Sequence, residues 1–143
     1  QQTKPTAVDG DNIWIGTMNG LNRINHNTGQ AKRLYSNKTS FVKSDTITSV
    51  LFIDDILFVG TTGGLGLYAK TNNKPAETTW IGEFESQHIL NLFYIKETNA
   101  VGLVSKSKLG IVESGRISKI IKFSLINPNL KNYNKRIELS SFL

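Results

Sequence analysis

A few residues in this 143-residue chain have types and spacings that can support chemistry. Ser105-Lys106-Ser107-Lys108 fits a Ser-x-x-Lys pattern, the spacing of a serine nucleophile and its lysine partner in some acyl-transfer enzymes. That chemistry needs the serine at a helix start and companion motifs elsewhere, and the sequence offers neither. His26 and His88 are isolated, so no histidine pair has metal-ligand spacing. His26 belongs to a polar turn, and His88 precedes an apolar run that reads as a strand. Asp9, Asp11, Asp54 and Asp55 fall in corresponding turns where carboxylates can attract calcium weakly, but no Asp-rich loop of metal-binding length surrounds them. Gly63-Gly64-Leu65-Gly66 is glycine-rich, yet it matches no phosphate-loop pattern and precedes no helix-like segment. The residues point to no catalytic group, no metal site and no cofactor.

The glycines belong to something larger. Ile13-Trp14-Ile15-Gly16-Thr17-Met18-Asn19-Gly20-Leu21 returns 44 residues later as Leu57-Phe58-Val59-Gly60-Thr61-Thr62-Gly63-Gly64-Leu65. A third, worn copy follows at the same interval, from Val101 to Leu109. It keeps the small hydroxyl residue (Thr17, Thr61, Ser105) and the leucine (Leu21, Leu65, Leu109). It loses both glycines, to Val104 and Lys108. Trp14 becomes Phe58 and then Gly102, which marks it as a packing residue rather than a stacking platform.

Each copy divides into strands. An apolar run with some alternation precedes the repeated stretch, Ile47 to Ile53 in the second copy and Ile89 to Ile95 in the third. Such runs suit a strand buried on both faces. A short turn (Asp54-Asp55, or residues 96–99) leads to the second strand. The glycine-bearing turn leads to the third strand, where glycine allows positive φ and close backbone approach. A polar turn, such as residues 25–29, 71–74 or Ser114-Gly115, leads to a fourth, more polar strand, predicted over residues 30–35, 78–84 and 116–123. A four-stranded antiparallel unit of 44 residues is the length of a β-propeller blade. The predicted fold is all-β, a fragment of a propeller with about three blades. Residues 1–35 read as an incomplete blade, 46–84 as the second and 88–123 as the degenerate third; 135–143 read as the inner strand of a further one. The chain is thus expected to be a slice that starts and ends inside blades.

Ile13-Trp14-Ile15-Gly16-Thr17 followed by Gly20-Leu21-Asn22-Arg23-Ile24 resembles the two-component regulator propeller repeat. That repeat reads apolar-Trp-apolar-Gly-Thr, then Gly-Leu-Asn-Arg-Tyr. It occurs in the periplasmic sensor regions of hybrid histidine kinases of the Bacteroides type, and also outside kinases. The second copy matches well, with Gly66-Leu67 in place of Asn-Arg, and the third poorly. The resemblance implies a periplasmic, non-enzymatic sensing segment that contributes to detecting glycan-derived ligands. The signal would pass through a β-sandwich and a membrane helix to a kinase in segments outside this chain. The expected partners are the rest of the parent propeller and an oligosaccharide.

Composition agrees with a globular β protein, and the absence of cysteine excludes disulfides and thiolate metal sites. No apolar run approaches the roughly 18 residues of a membrane span. The charge is uneven. Residues 1–104 carry 9 basic and 9 acidic side chains, whereas 105–143 carry 8 basic and 2 acidic ones. This one-sided end reads as a lysine-lined edge strand, which blunts strand pairing, or else as an anion-attracting face. Nucleic acid is not expected, because no aromatic side chains interleave with these lysines as a stacking platform requires.

In a propeller, the loops between blades line one face. Residues 35–45 carry Asn37, Lys38, Phe41 and Lys43; residues 85–88 carry Glu85, Ser86, Gln87 and His88; residues 127–135 carry Asn129, Asn132 and Tyr133. Amide, ammonium and aromatic groups together suit sugar hydroxyls and ring faces. Lys43, His88, Asn132 and Tyr133 are the candidate ligand-binding residues. Two other readings stay open: a propeller-type carbohydrate-active enzyme, for which His88, Tyr133 and Lys43 are the only loose candidates, and an interaction scaffold. Self-association through open blade edges is a further expectation.

Overall fold

A computed structural model of the chain describes residues 4–76, 78, 80–113 and 116–123. They form three four-stranded antiparallel sheets in simple meander order. The first comprises β1 (Thr6–Val8), β2 (Asn12–Thr17), β3 (Gly20–Asn25) and β4 (Ala31–Leu34). The second comprises β5 (Ile47–Ile53), β6 (Ile56–Thr61), β7 (Gly64–Ala69) and β8 (Lys74–Pro75). The third comprises β9 (Ile89–Ile95), β10 (Ala100–Ser105), β11 (Lys108–Glu113) and β12 (Arg116–Lys122). This is the blade arrangement that the repeat predicts. The sequence candidates at residues 127–143, Asn132 and Tyr133 among them, lie outside the described residues, as do Ser114 and Gly115.

The retained hydroxyl has the same task in every copy. Thr17 Oγ1 donates to the Gly20 carbonyl at 2.7 Å and accepts from the Asn19 N–H. Thr61 does the same with Gly64 and Gly63, and Ser105 with Lys108 and Ser107. It closes the turn between the second and third strands from within, supplying partners that the tight backbone cannot. The other repeated turn, Asp54-Asp55, holds φ of 53° and 71°, the two left-handed positions of a primed hairpin turn.

The sheets have little core of their own. One buried cluster joins Trp14, Leu21 and Leu34 of the first blade to Ile47, Val50 and Leu57 of the second. Another joins Phe58, Leu65 and Leu67 of the second to Leu92, Val101 and Leu103 of the third. The lost repeat glycines explain how these interfaces close. A Cβ on Gly16 would lie 2.5 Å from Ile47 Cγ2, and one on Gly60 would lie 2.8 Å from Ile89 Cγ2. Each glycine is therefore the socket for an isoleucine of the next blade. A bulge in each of β5 and β9, just after that isoleucine, recurs in both. At the bulge, Thr48 Oγ1 donates to the Ile89 carbonyl at 2.7 Å, a hydrogen bond between blades.

The loss of the aromatic residue in the third copy is compensated across the strand pair. Trp14 stands opposite Ala7, Phe58 opposite Leu51, and Gly102 opposite Phe93. The bulk moves from the second strand to the first as the copies proceed. A Cβ on Gly102 would lie 2.2 Å from the Phe93 ring, so the phenyl group covers the glycine.

Two expectations are corrected. The fourth strand of the second blade is not at residues 78–84. It is the two-residue β8, after which a 3-10 turn spans Ile81–Glu83. Beyond Pro75, the Ala76 N–H still donates to the Leu67 carbonyl at 3.0 Å. Trp80 and Phe84, which flank that turn, are both buried. The first strand of the third blade is also not buried on both faces: Leu90 and Tyr94 are 47% and 46% exposed.

Two substitutions test this packing by urea unfolding. Gly60→Val should cost about 1–3 kcal/mol by overpacking against Ile89, and Ile89→Ala in the same chain should recover part of it. Phe93→Ala should cost about 2 kcal/mol, because the side chain is only partly buried, and adding Gly102→Phe should restore most of the loss. Additive losses in either pair would contradict the contacts described.

Candidate functional site

The structure separates the loops into two faces. Turns between first and second strands share one face with turns between third and fourth. Turns between second and third strands share the other with the linkers between blades.

The first face is stitched by polar contacts between neighbours. Asp9 is buried, and its carboxylate accepts from the Trp14 indole N–H at 2.8 Å and from the backbone N–H groups of Asp11 and Asn12. Lys70, at the end of the second blade's β7, donates to the Asp9 carbonyl at 2.6 Å and lies 3.3 Å from Asp11 Oδ2. One junction further on, Asn99 donates to Asp54 Oδ2 at 3.1 Å and accepts from the Tyr94 hydroxyl at 2.7 Å. These two residues rim a groove of about 390 Å³ floored by Ile53, Ile56, Phe58 and Val101. Asp55 instead accepts from the Thr71 N–H. Asp9 and Asp11 thus share Lys70 while Asp54 and Asp55 have partners of their own, and no group of three metal-ligating side chains occurs among the described residues. His26 on this face is exposed, with Nε2 against the Gly10 carbonyl.

Burial pushes the Asp9 carboxyl upward. The hydrogen bonds from Trp14 and Asn12, aided by the Lys70 ammonium, outweigh it and hold the group below its ordinary value of 3.8. The sequence gives one signal for this anchor, an acidic residue shortly before the repeat tryptophan.

The second face carries the described ligand candidates. Lys43 lies in the first linker, with Nζ 3.5 Å from Glu85 Oε2 of the second. Both flank a cleft of about 240 Å³ whose other walls include Phe41, Leu67, Pro75 and Thr78. The cleft exists because β8 is short: it opens beside β7 where a full outer strand would run. Gly66 makes the same region narrow, since a Cβ there would lie 1.7 Å from the Phe41 carbonyl oxygen. Gly110, 44 residues on, faces a phenylalanine of the second linker, but there it is the Phe84 ring rather than the backbone that approaches, with Cζ 2.7 Å from where a Cβ would lie. Sequence reading missed this second repeat, although its spacing was there to be found.

The cleft presents an ammonium, a carboxylate and two hydroxyls, from Ser40 and Thr78, over apolar walls. Its ion pair is partly exposed and loosely spaced, so a ligand can replace it at small cost. His88 is half-buried just before β9 and is not among the residues lining this cleft. The structure thus brings Lys43 together with Glu85, not with His88.

No family model and no curated protein matches the chain. Solved structures do. The extracellular domain of BT4673 from B. thetaiotaomicron, described as a hybrid two-component system, is similar with a TM-score of 0.64 at 20% identity, over 83% of this chain and 16% of that one. The extracellular domain of BT3049 from the same organism, described likewise, gives a TM-score of 0.56 at 13% identity, over 78% and 15%. At these identities the likeness establishes the fold. The chain spans about a sixth of the length of these relatives. Among the described residues, no helix is long and apolar enough to cross a membrane.

Because the folded state lowers the Asp9 pKa, its ionised form stabilises the fold above the ordinary carboxylate value, and that stabilisation is lost as pH falls through the folded value. The melting temperature should therefore drop on acidification from about pH 5 to pH 2. Asp9→Asn should melt lower at neutral pH and show a flatter acid profile. An unchanged profile would remove Asp9 from this role.

Proposed function

We propose that the chain is a ligand-sensing segment of the extracytoplasmic propeller of a hybrid two-component regulator, located in the periplasm. The observation that carries this reading is the shared fold with two extracellular domains so described, over most of this chain. The linker-face cleft supports a binding role: it is polar at the mouth and apolar within, and it is built from two blades' linkers. A ligand contacting Lys43 and Glu85 would couple the positions of these linkers, and such coupling is how a sensor converts occupancy into blade geometry. Its size suits one edge of an oligosaccharide better than a whole one. The segment itself is non-enzymatic, and phosphotransfer would belong to domains elsewhere in the parent.

The remaining propeller is the natural partner of the third blade's far face. There Phe93, Ile95, Val104 and Ile121 pack only partly buried around Ala100, Leu109 and Ile111.

Two measurements test the reading. The parent open reading frame should encode a membrane helix and a histidine kinase downstream; their absence would end the sensor assignment. Calorimetric titration with a panel of neutral oligosaccharides should find a binder whose affinity falls about tenfold in Lys43→Ala, the loss of one charge-assisted hydrogen bond. Binding indifferent to Lys43 and Glu85 would move the site elsewhere.

A further inference from the structure

The third turn of the linker face departs from the other two at three successive positions. Where the first copy has Met18-Asn19-Gly20 and the second Thr62-Gly63-Gly64, the third has Lys106-Ser107-Lys108. The glycine is dispensable here because Lys108 is not in the left-handed region that Gly20 and Gly64 occupy, with φ of 107° and 143°. What replaced it is costly. Lys108 pairs in register with Lys122 of β12, placing like charges directly opposite across two strands. Such a pair is destabilising in itself.

These residues line a cleft of about 310 Å³ together with Ser107 and Phe123. The cleft is held in shape from both sides. The Phe123 N–H donates to the Ser107 carbonyl at 2.8 Å, closing the end of β12 onto the turn. Ser107 Oγ donates to Gln87 Oε1 at 2.9 Å, tying the turn to the second linker.

Charge in the cleft is incompletely balanced. Lys108 Nζ lies 2.9 Å from Glu83 Oε1 and 5.2 Å from the centre of the Phe84 ring. That hydrogen bond, and then the charge of Lys108, hold the Glu83 carboxyl below its ordinary value against slight desolvation, with a smaller contribution from Lys122. Among the described residues, one carboxylate thus answers three ammonium groups, and Lys106 and Lys122 are exposed at the mouth. The blunting of an edge strand accounts for a lysine such as Lys119, but Lys106 and Lys108 stand at an interior turn.

We propose that this cleft binds an oxyanion carried on a saccharide, a sulfate ester or a uronate carboxylate, seated between Lys106 and Lys122 with the sugar face against Phe123. Two ammonium donors suit an oxyanion, and the Ser107 hydroxyl and an apolar ring suit the sugar that carries it. A single aromatic side chain is too few for stacked nucleobases. The inference deepens the sensing reading by naming a ligand chemistry, and rests on that reading only for its biological role.

The test is titration of the 143-residue chain with a sulfated disaccharide, a diuronate, the neutral disaccharide of the same linkage and a single-stranded oligonucleotide. At least one anionic sugar should bind in a way that depends on Lys106 and Lys122, whereas any binding of the neutral one, at the Lys43 cleft, should not depend on them; the stronger of the two anionic sugars identifies the oxyanion. Lys106→Gln and Lys122→Gln should each weaken binding about tenfold, as loss of a charge-assisted contact does. Lys32→Gln, an equal charge change on the first blade, should leave it unaltered. Lys122→Gln should also keep or raise the melting temperature, because it relieves the pair with Lys108. Four results would overturn the site: no binding of either anionic sugar, equal binding of the neutral sugar that also weakens in Lys106→Gln and Lys122→Gln, indifference of the anionic sugars to both lysine substitutions, or oligonucleotide binding as tight as that of the sugars. None of these bears on whether a kinase lies downstream in the parent, so the two readings fail separately.

Discussion

Everything in this chain depends on one contact made twice: an isoleucine of one blade seated where the preceding blade has no side chain. Ile47 fills the space over Gly16, and Ile89 the space over Gly60. A single four-stranded sheet has two faces and no means to bury either. The two large buried clusters accordingly lie between blades. The glycine lets the next first strand approach closely enough for those clusters to close, and the bulge after each isoleucine turns it toward its socket. The hydroxyl turns, the linker phenylalanines and the cross-strand aromatic pairs refine an interface that this contact makes possible.

Much of this was legible from spacing alone. The 44-residue interval places Gly16, Thr17, Leu21 and their counterparts on equivalent strands, and the structure gives the hydroxyl residue one task in all three copies and the glycine one task in the first two. Propensity did less well at residues 78–84, where a β-rich composition masks a turn. There Trp80 and Phe84 are buried by the geometry of the linker, not by strand alternation. The glycine-phenylalanine pairs at Gly66 and Gly110 were hidden for another reason. The two glycines stand 44 residues apart, but their partners lie in linkers of differing sequence, so the contacts themselves emerge only in three dimensions. Gly102 looks like decay when read along the chain and like compensation when read across the ladder, opposite Phe93.

The candidate site was legible only in part. Lys43 stood out as a charged residue in a linker, and the structure places it at a cleft mouth. Its partner Glu85 could not be assigned from sequence, because the pairing depends on how two linkers fold back over one blade. The cleft itself lies beside an outer strand of only two residues, Lys74–Pro75. The opposite face shows the reverse economy. There Asp9, Lys70, Asp54 and Asn99 are engaged with neighbouring blades, which leaves that face less free to vary.

The isoleucine-glycine contact has a direction. A blade offers its glycine to the blade that follows and its isoleucine to the one before, so copies join head to tail and in no other sense. Any unit with both features is interchangeable in the series, and gene duplication can lengthen such an array without redesigning a junction. The third copy has kept the isoleucine, Ile89, but carries Val104 where the glycine should be and Leu90 where Thr48 reaches across. It can be received by a blade of the ordinary kind, yet it cannot receive one by the same means. Whatever adjoins that copy must meet it on different terms.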